Sequence, residues 1–204
     1  MSGPRLIVIT DLGVAPVEQL EERASRVAAA AVPGSVMIQL RDRDLPVRER
    51  LELGKRLVGI ARAHHQLFVV NDRIDLALLL DADGVHLGES SAEPADARKI
   101  LGPEKLISRA CHDPAAAEPR GADALLLSPV LRERKGNPPL GLLAIGAARS
   151  VAHQARIYAL GGVDADGARQ CVDAGFDGVA VIGAVLTAPD PLQIVSALGI
   201  ARAG

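Results

Sequence analysis

The sequence predicts an α/β fold, a single (β/α)8 TIM barrel occupying residues 1–204 as one domain. Three observations lead there. Short runs of branched aliphatic residues alternate with Ala/Leu/Arg-rich stretches of helical period, and eight such pairs fit into 204 residues, about 25 per unit. Most of the runs are continuously apolar, the pattern of parallel strands covered on both faces. The chain also has Trp 0, Tyr 1 and Phe 2 against 49% hydrophobic residues, so its core must be built from Ala, Val, Leu and Ile. Those are the side chains that fill barrel interiors. An open doubly wound sheet usually carries five or six units; eight in succession favour closure.

Each element can be placed in order. The first strand is expected over Leu6–Thr10 and the first helix over Pro16–Ala31, where Pro16 is tolerated because an N–H at a helix start is unpaired anyway. A strand over Ser35–Leu40 is apolar except at Ser35 and Gln39, and a long helical period follows over Val47–His64. Leu67–Asn71 and Gly84–Leu87 read as buried strands, each with a helix after it, Ile74–Leu80 and Ala95–Leu101. Leu106–Ala110 and Ala124–Leu127 are the fifth and sixth strands, with helices expected at Pro114–Pro119 and Leu142–Val151. Arg156–Leu160 and Gly178–Ile182 complete the set, followed by helices Ala165–Ala174 and Pro191–Leu198.

Composition excludes several classes of function. A net charge of −2 and a pI near 6.2 imply no general polyanion surface, so nucleic acid is not an expected partner. Scarce aromatics argue against recognition by stacking. Two cysteines are too few for a disulfide framework. No apolar run approaches the roughly 20 residues of a membrane helix and no secretory h-region is present, so no membrane is expected and a cytoplasmic location is. Homo-oligomerisation stays open.

In such a barrel chemistry sits at the C-terminal strand ends, and polar residues collect there. Gln39, Arg41 and Arg43 alternate along an extended segment and can point one way. Two guanidiniums there suit a diphosphate through bidentate hydrogen bonds, or pair with the intervening aspartates in a solvated loop. Asn71-Asp72 ends the third strand; Asp72 either holds Mg2+ against phosphate oxygens or, the commoner use, caps the next helix. His86 and His112 lie at catalytic-face positions and are acid–base candidates. Cys111 beside His112 shows no third orienting group, so a Cys–His nucleophile is not expected. Ser128 ends the sixth strand, and the Arg132–Lys135 run reads as a solvated loop able to close over a substrate phosphate. Gly161-Gly162 after the seventh strand, with Ile182-Gly183 after the eighth, suits a phosphate held by backbone N–H groups, because glycine lets the backbone approach closely.

Several ordered motifs carry a resemblance. Gln39-Leu40-Arg41-Asp42-Arg43, Val70-Asn71-Asp72-Arg73-Ile74-Asp75, Ala82-Asp83-Gly84-Val85-His86-Leu87-Gly88, Ala159-Leu160-Gly161-Gly162-Val163 and Gly175-Phe176-Asp177-Gly178-Val179 resemble the thiamine phosphate synthase/TenI superfamily over nearly the whole chain. The resemblance implies a transferase of thiamine biosynthesis that joins hydroxymethylpyrimidine diphosphate to a thiazole phosphate and releases pyrophosphate. Carried over by position, Gln39 and His86 hold the pyrimidine, while Arg41, Arg43 and Asn71 grip the diphosphate. Asp72 is a Mg2+ ligand, Gly162 with Gly183 takes the thiazole phosphate by backbone N–H groups, and Ser128, Lys135, Gly161 and Ile182 contact substrate. Arg41, Lys135 and His112 carry the catalytic assignments.

Departures keep alternatives open. Ser90-Ser91 stands where the family usually has a second Mg2+ aspartate, Ala110 replaces a serine, and Leu131-Arg132-Glu133-Arg134 replaces a threonine-rich loop. Arg43 replaces a lysine, keeping charge but not geometry. Arg109-Ala110-Cys111-His112 resembles the motif of TenI-type thiazole tautomerases, in which His112 would shuttle the proton. A non-catalytic paralogue that binds thiazole or thiamine phosphate is the third alternative.

Overall fold

The computed structural model describes residues 3–134 and 136–203. Eight parallel strands close into a barrel in chain order: β1 (Leu6–Ile9), β2 (Val36–Leu40), β3 (Leu67–Asn71), β4 (Gly84–Leu87), β5 (Leu106–Cys111), β6 (Ala124–Leu127), β7 (Arg156–Leu160) and β8 (Gly178–Val181). β8 pairs with β1 and removes both sheet edges. Around them run α1 (Val17–Ala30), α2 (Val47–Ala63), α3 (Ile74–Leu79), α4 (Pro94–Leu101), α5 (Ala144–Val151), α6 (Ala165–Asp173), α7 (Gly183–Leu186) and α8 (Gln193–Ala197).

Two elements differ from expectation. The helix expected over Pro114–Pro119 is a single 3-10 turn, Pro114–Ala116. Asp113 caps it by accepting the Ala115 N–H at 2.9 Å. Pro119, lacking an N–H, could not extend it. Helix α7 was not expected, because four residues are too few to show a hydrophobic period.

Strand parity organises everything else, since side chains alternate across a strand. One parity faces the helices and builds the larger apolar cluster, from Leu6 and Val8 through Ile38 and Val70 to Val179. The other points into the barrel, where Ile7, Ile9, Met37, Val69, Leu126 and Tyr158 form the inner core. Phe68, Tyr158 and Phe176 are all buried, and none borders the mouth at the C-terminal strand ends.

The N-terminal rim is closed by side chains that take strand N–H groups. Asp83 accepts from Phe68 at 2.8 Å, Asp123 from Ile107 at 2.8 Å and Asp177 from Ile157 at 2.7 Å. Gln66 does the same for Val36 at 3.0 Å. Arg98 and Arg149 add charge to Asp123 and Asp177. Three aspartates thus repeat one joint at alternate strands, each accepting an N–H from the strand before.

Candidate active site

Continuing the inward parity past the inner core delivers the polar residues of the C-terminal mouth. Gln39 follows Met37, Asn71 follows Val69, Ser128 follows Leu126, and His86, Ser108 and Ala110 lie in the same phase. Arg109 and Cys111 have the opposite parity. Arg109 accordingly reaches outward to the Glu118 carbonyl at 3.0 Å, and Cys111 is buried with its thiol pKa raised by that burial. A Cys111 nucleophile is unsupported on these grounds.

A polar chain runs around one side of the mouth. The Gln39 side-chain amide donates to Asn71 Oδ1 at 3.1 Å, and Asn71 Nδ2 donates to Asp72 Oδ2 at 2.6 Å. Arg43 pairs with Asp72 Oδ2 at 2.9 Å, while Gly88 N–H and the Ser91 hydroxyl donate to Oδ1. Burial pushes the Asp72 carboxyl up, but the hydrogen bonds from Ser91 and Gly88 and the Arg43 charge outweigh it and hold its pKa below the ordinary value. Asp72 is therefore not the helix cap that its position allowed. Its backbone has φ of 60°, and the N-cap position of α3 is Arg73, which makes no side-chain cap hydrogen bond.

Nor do Arg41 and Arg43 pair with the intervening aspartates. Arg41 meets Asp11 at 3.2 Å, whereas Asp42 turns inward to accept from the Thr10 hydroxyl and, at 2.6 Å, from Leu12 N–H. The loop carrying both arginines is braced by buried Arg50, which donates to the Arg43 carbonyl. Sequence reasoning missed Arg50; an arginine in the otherwise apolar phase of α2 was the available signal.

Among the described residues, Gln39 and His86 each present the mouth with a side-chain atom that has no protein partner. Gln39 is 1% exposed, and its Oε1 accepts no hydrogen bond. His86 keeps Nε2 free while Nδ1 meets Ser108 Oγ at 2.9 Å. Burial depresses the His86 pKa to about 4, against the pull of Asp72, so the imidazole is neutral at pH 7.

These residues border a cavity of about 410 Å³ that includes Gln39, Arg41, Arg43, Asn71, His86 and Ser128. His112 stands at its edge, held by Glu89 through its backbone N–H at 2.9 Å and its Nδ1 at 2.9 Å. Glu89 is the orienting group the sequence did not reveal; barrel closure brings it 23 residues back along the chain.

A second cavity of about 600 Å³ adjoins, against Gly161, Gly162, Ile182 and Gly183, and the two share Arg134, Leu160 and Ile182. The two glycine loops differ. Gly162 has φ of 73°, and a Cβ there would stand 2.2 Å from Arg132 Cβ, so the fold itself demands glycine. Gly183 has no such constraint; a Cβ would meet only Thr187 Oγ1 at 3.3 Å. Among the described residues neither the Gly162 nor the Gly183 N–H finds a backbone acceptor. Lys135 lies outside the described residues.

For a divalent cation the donor set is lean. Among the described residues no group of three or more His, Cys, Asp and Glu side chains converges. Ser91, not a carboxylate, sits on Asp72, and Glu89 is turned to His112. A two-carboxylate site does not fit. Mg2+ held by Asp72 together with substrate phosphate oxygens and water does.

Comparison with known proteins agrees with this geometry. A family model described as thiamine monophosphate synthase matches residues 6–185. The thiamine-phosphate synthase of Moorella thermoacetica is 41% identical over 170 residues, 80% of this chain and 80% of that protein. That of Gloeobacter violaceus is 35% identical over 94% of this chain, which spans 55% of that longer protein. The solved thiamine phosphate pyrophosphorylase of Pyrococcus furiosus superimposes with a TM-score of 0.78 at 33% identity, covering 96% of this chain and 93% of that one.

Proposed function

The chain belongs to the thiamine monophosphate synthase family, and from that premise we propose that its single barrel joins hydroxymethylpyrimidine diphosphate to a thiazole phosphate, releasing pyrophosphate. The observation that carries this reading is the buried, partnerless Oε1 of Gln39 beside Arg41 and Arg43. An acceptor in that position calls for a ligand donor, such as an aminopyrimidine N–H, with an anionic tail alongside.

The bond from the pyrimidine methylene carbon to the diphosphate breaks, and pyrophosphate leaves with the electron pair. The thiazole nitrogen then forms the new C–N bond. Gln39 and His86 orient the ring, and Ile9, Leu126 and Leu160 supply aliphatic walls in place of aromatic ones. A neutral His86 matters because an imidazolium would repel the cation developing on the pyrimidine. Arg41 and Arg43 meet the departing diphosphate, with Asn71 fixing the chain between Gln39 and Asp72. Mg2+ on Asp72 would offset charge on the leaving group when bound. Free N–H groups at Gly162 and Gly183 suit the thiazole phosphate, and Ser128 and Ile182 close the space between. Small phosphorylated substrates and a cytoplasmic location go with this reading; no helix of the described residues is long and apolar enough to cross a membrane.

The Glu89–His112 pair favours a second reading. A carboxylate that fixes His112 and leaves Nε2 free is an acid–base arrangement suited to thiazole tautomerisation. One experiment separates the readings. Purified protein given both phosphorylated halves and Mg2+ is expected to yield thiamine phosphate and pyrophosphate in equal amounts, with loss in Asp72→Ala. Tautomer interconversion abolished by His112→Ala, without coupled product, would replace the synthase with the tautomerase. Binding of thiazole phosphate with neither reaction would leave a non-catalytic paralogue.

A further inference from the structure

Arg134 stands on the wall between the two cavities and borders both. Its position is set by a tight hairpin, in which Arg134 and Asn137 exchange backbone hydrogen bonds at 3.1 and 3.0 Å. Burial lowers the pKa of its half-buried guanidinium; the nearby Arg41 charge acts in the same direction and Asp11 in the opposite one. The other two arginines described at the smaller cavity are engaged, Arg41 by Asp11 and Arg43 by Asp72. Among the described residues no carboxylate lies within ion-pairing distance of Arg134. Arg132, on the same loop, is exposed and borders only the larger cavity.

A partly desolvated guanidinium beside a second arginine is unfavourable until an anion joins it. Its five donors in a planar fork can serve two groups of phosphate oxygens at once. We propose that Arg134 is a shared anion-binding residue, taking the phosphate of the larger cavity and the diphosphate of the smaller one and thereby selecting phosphorylated partners in both. This rests on the reaction proposed above.

The test is calorimetric titration with inorganic pyrophosphate and, separately, inorganic phosphate. Arg134→Gln is expected to weaken both by about tenfold or more, the value of a charge-assisted hydrogen bond. Arg134→Lys, keeping charge without the fork, should weaken both by at least about threefold. Wild-type affinity for either anion in a folded form of either variant overturns the proposal. So does Arg132→Gln weakening pyrophosphate as much as Arg134→Gln, because a diffuse positive field would then be binding. Product formation by the wild type with normal anion binding in Arg134→Gln would end this inference and leave the reaction standing. Arg134-dependent binding in a protein that forms no product would do the reverse.

Discussion

At the N-terminal rim of the barrel the aspartates at strand starts are engaged inside the protein, each taking a strand N–H: Asp83, Asp123 and Asp177. At the C-terminal rim polar atoms are left without a partner among the described residues: Gln39 Oε1, His86 Nε2 and the N–H groups of Gly162 and Gly183. Both rims are built from residues flanking the same strands, so fold alone does not separate them. The difference teaches where this chain places stability and where it accepts its cost. A buried polar atom without a partner is unfavourable by about 1–3 kcal/mol, and such an atom is retained when a ligand completes it.

Four changes would break or sharpen that contrast. The largest effect is expected from Asp177→Ala, which strands the Ile157 N–H and frees Arg149. Unfolding stability should fall by about 3 kcal/mol, and Tm by roughly 6–12 °C, with ligand affinity of the folded fraction unchanged. Calorimetry decides it; an affinity loss without a Tm shift would erase the distinction between the rims.

Acid comes next. An unfolded histidine titrates near 6.5, whereas His86 in the fold holds out to about 4. Between those values the unfolded chain binds the extra proton, so stability from this site is complete above about pH 6.5 and is lost as pH falls toward 4. The loss is about 3 kcal/mol at most. Denaturant melts at pH 7 and pH 4.5, compared with His86→Gln, should show a shallower pH slope in the variant.

Gln39→Leu inverts the first prediction. It removes a partnerless acceptor, so stability should change by no more than about 1 kcal/mol, Asn71 losing one donor in exchange. The kcat/KM for the pyrimidine substrate should nevertheless drop roughly 10–100-fold. A large Tm loss with intact turnover would make Gln39 structural.

The smallest effect belongs to Gly183→Ala. With no positive φ and only Thr187 nearby, stability should stay within about 0.5 kcal/mol. Binding of the thiazole phosphate should weaken several-fold as the methyl group meets the ligand. Unchanged binding would show that Gly183 does not face it.

The eight strands, their parallel order and most helices were legible in the chain, because continuous apolar runs and helical periods are local patterns. Gln39 was legible as the polar break in an apolar strand, whereas the barrel register shows that Asn71 and His86 share its phase. The 3-10 turn at Pro114–Ala116 was misread because alanine content outweighed the two prolines that bound it. Asp72 was ambiguous for a different reason: capping depends on the next residues, whereas its partners Arg43, Gly88 and Ser91 come from neighbouring loops.

What the sequence determined by itself is therefore the barrel, its aliphatic core almost without rings, and the parity that sends polar side chains into one mouth. Tertiary structure alone decided which of them meet. Asp72 joins Ser91 across 19 residues, Arg41 joins Asp11 across 30, and Glu89 fixes His112 across 23. Closure of the sheet sets those meetings, because loop side chains take their direction from whatever packs beside them. A period-2 rule ends where the strand does, and Arg134 between two cavities lies beyond that end.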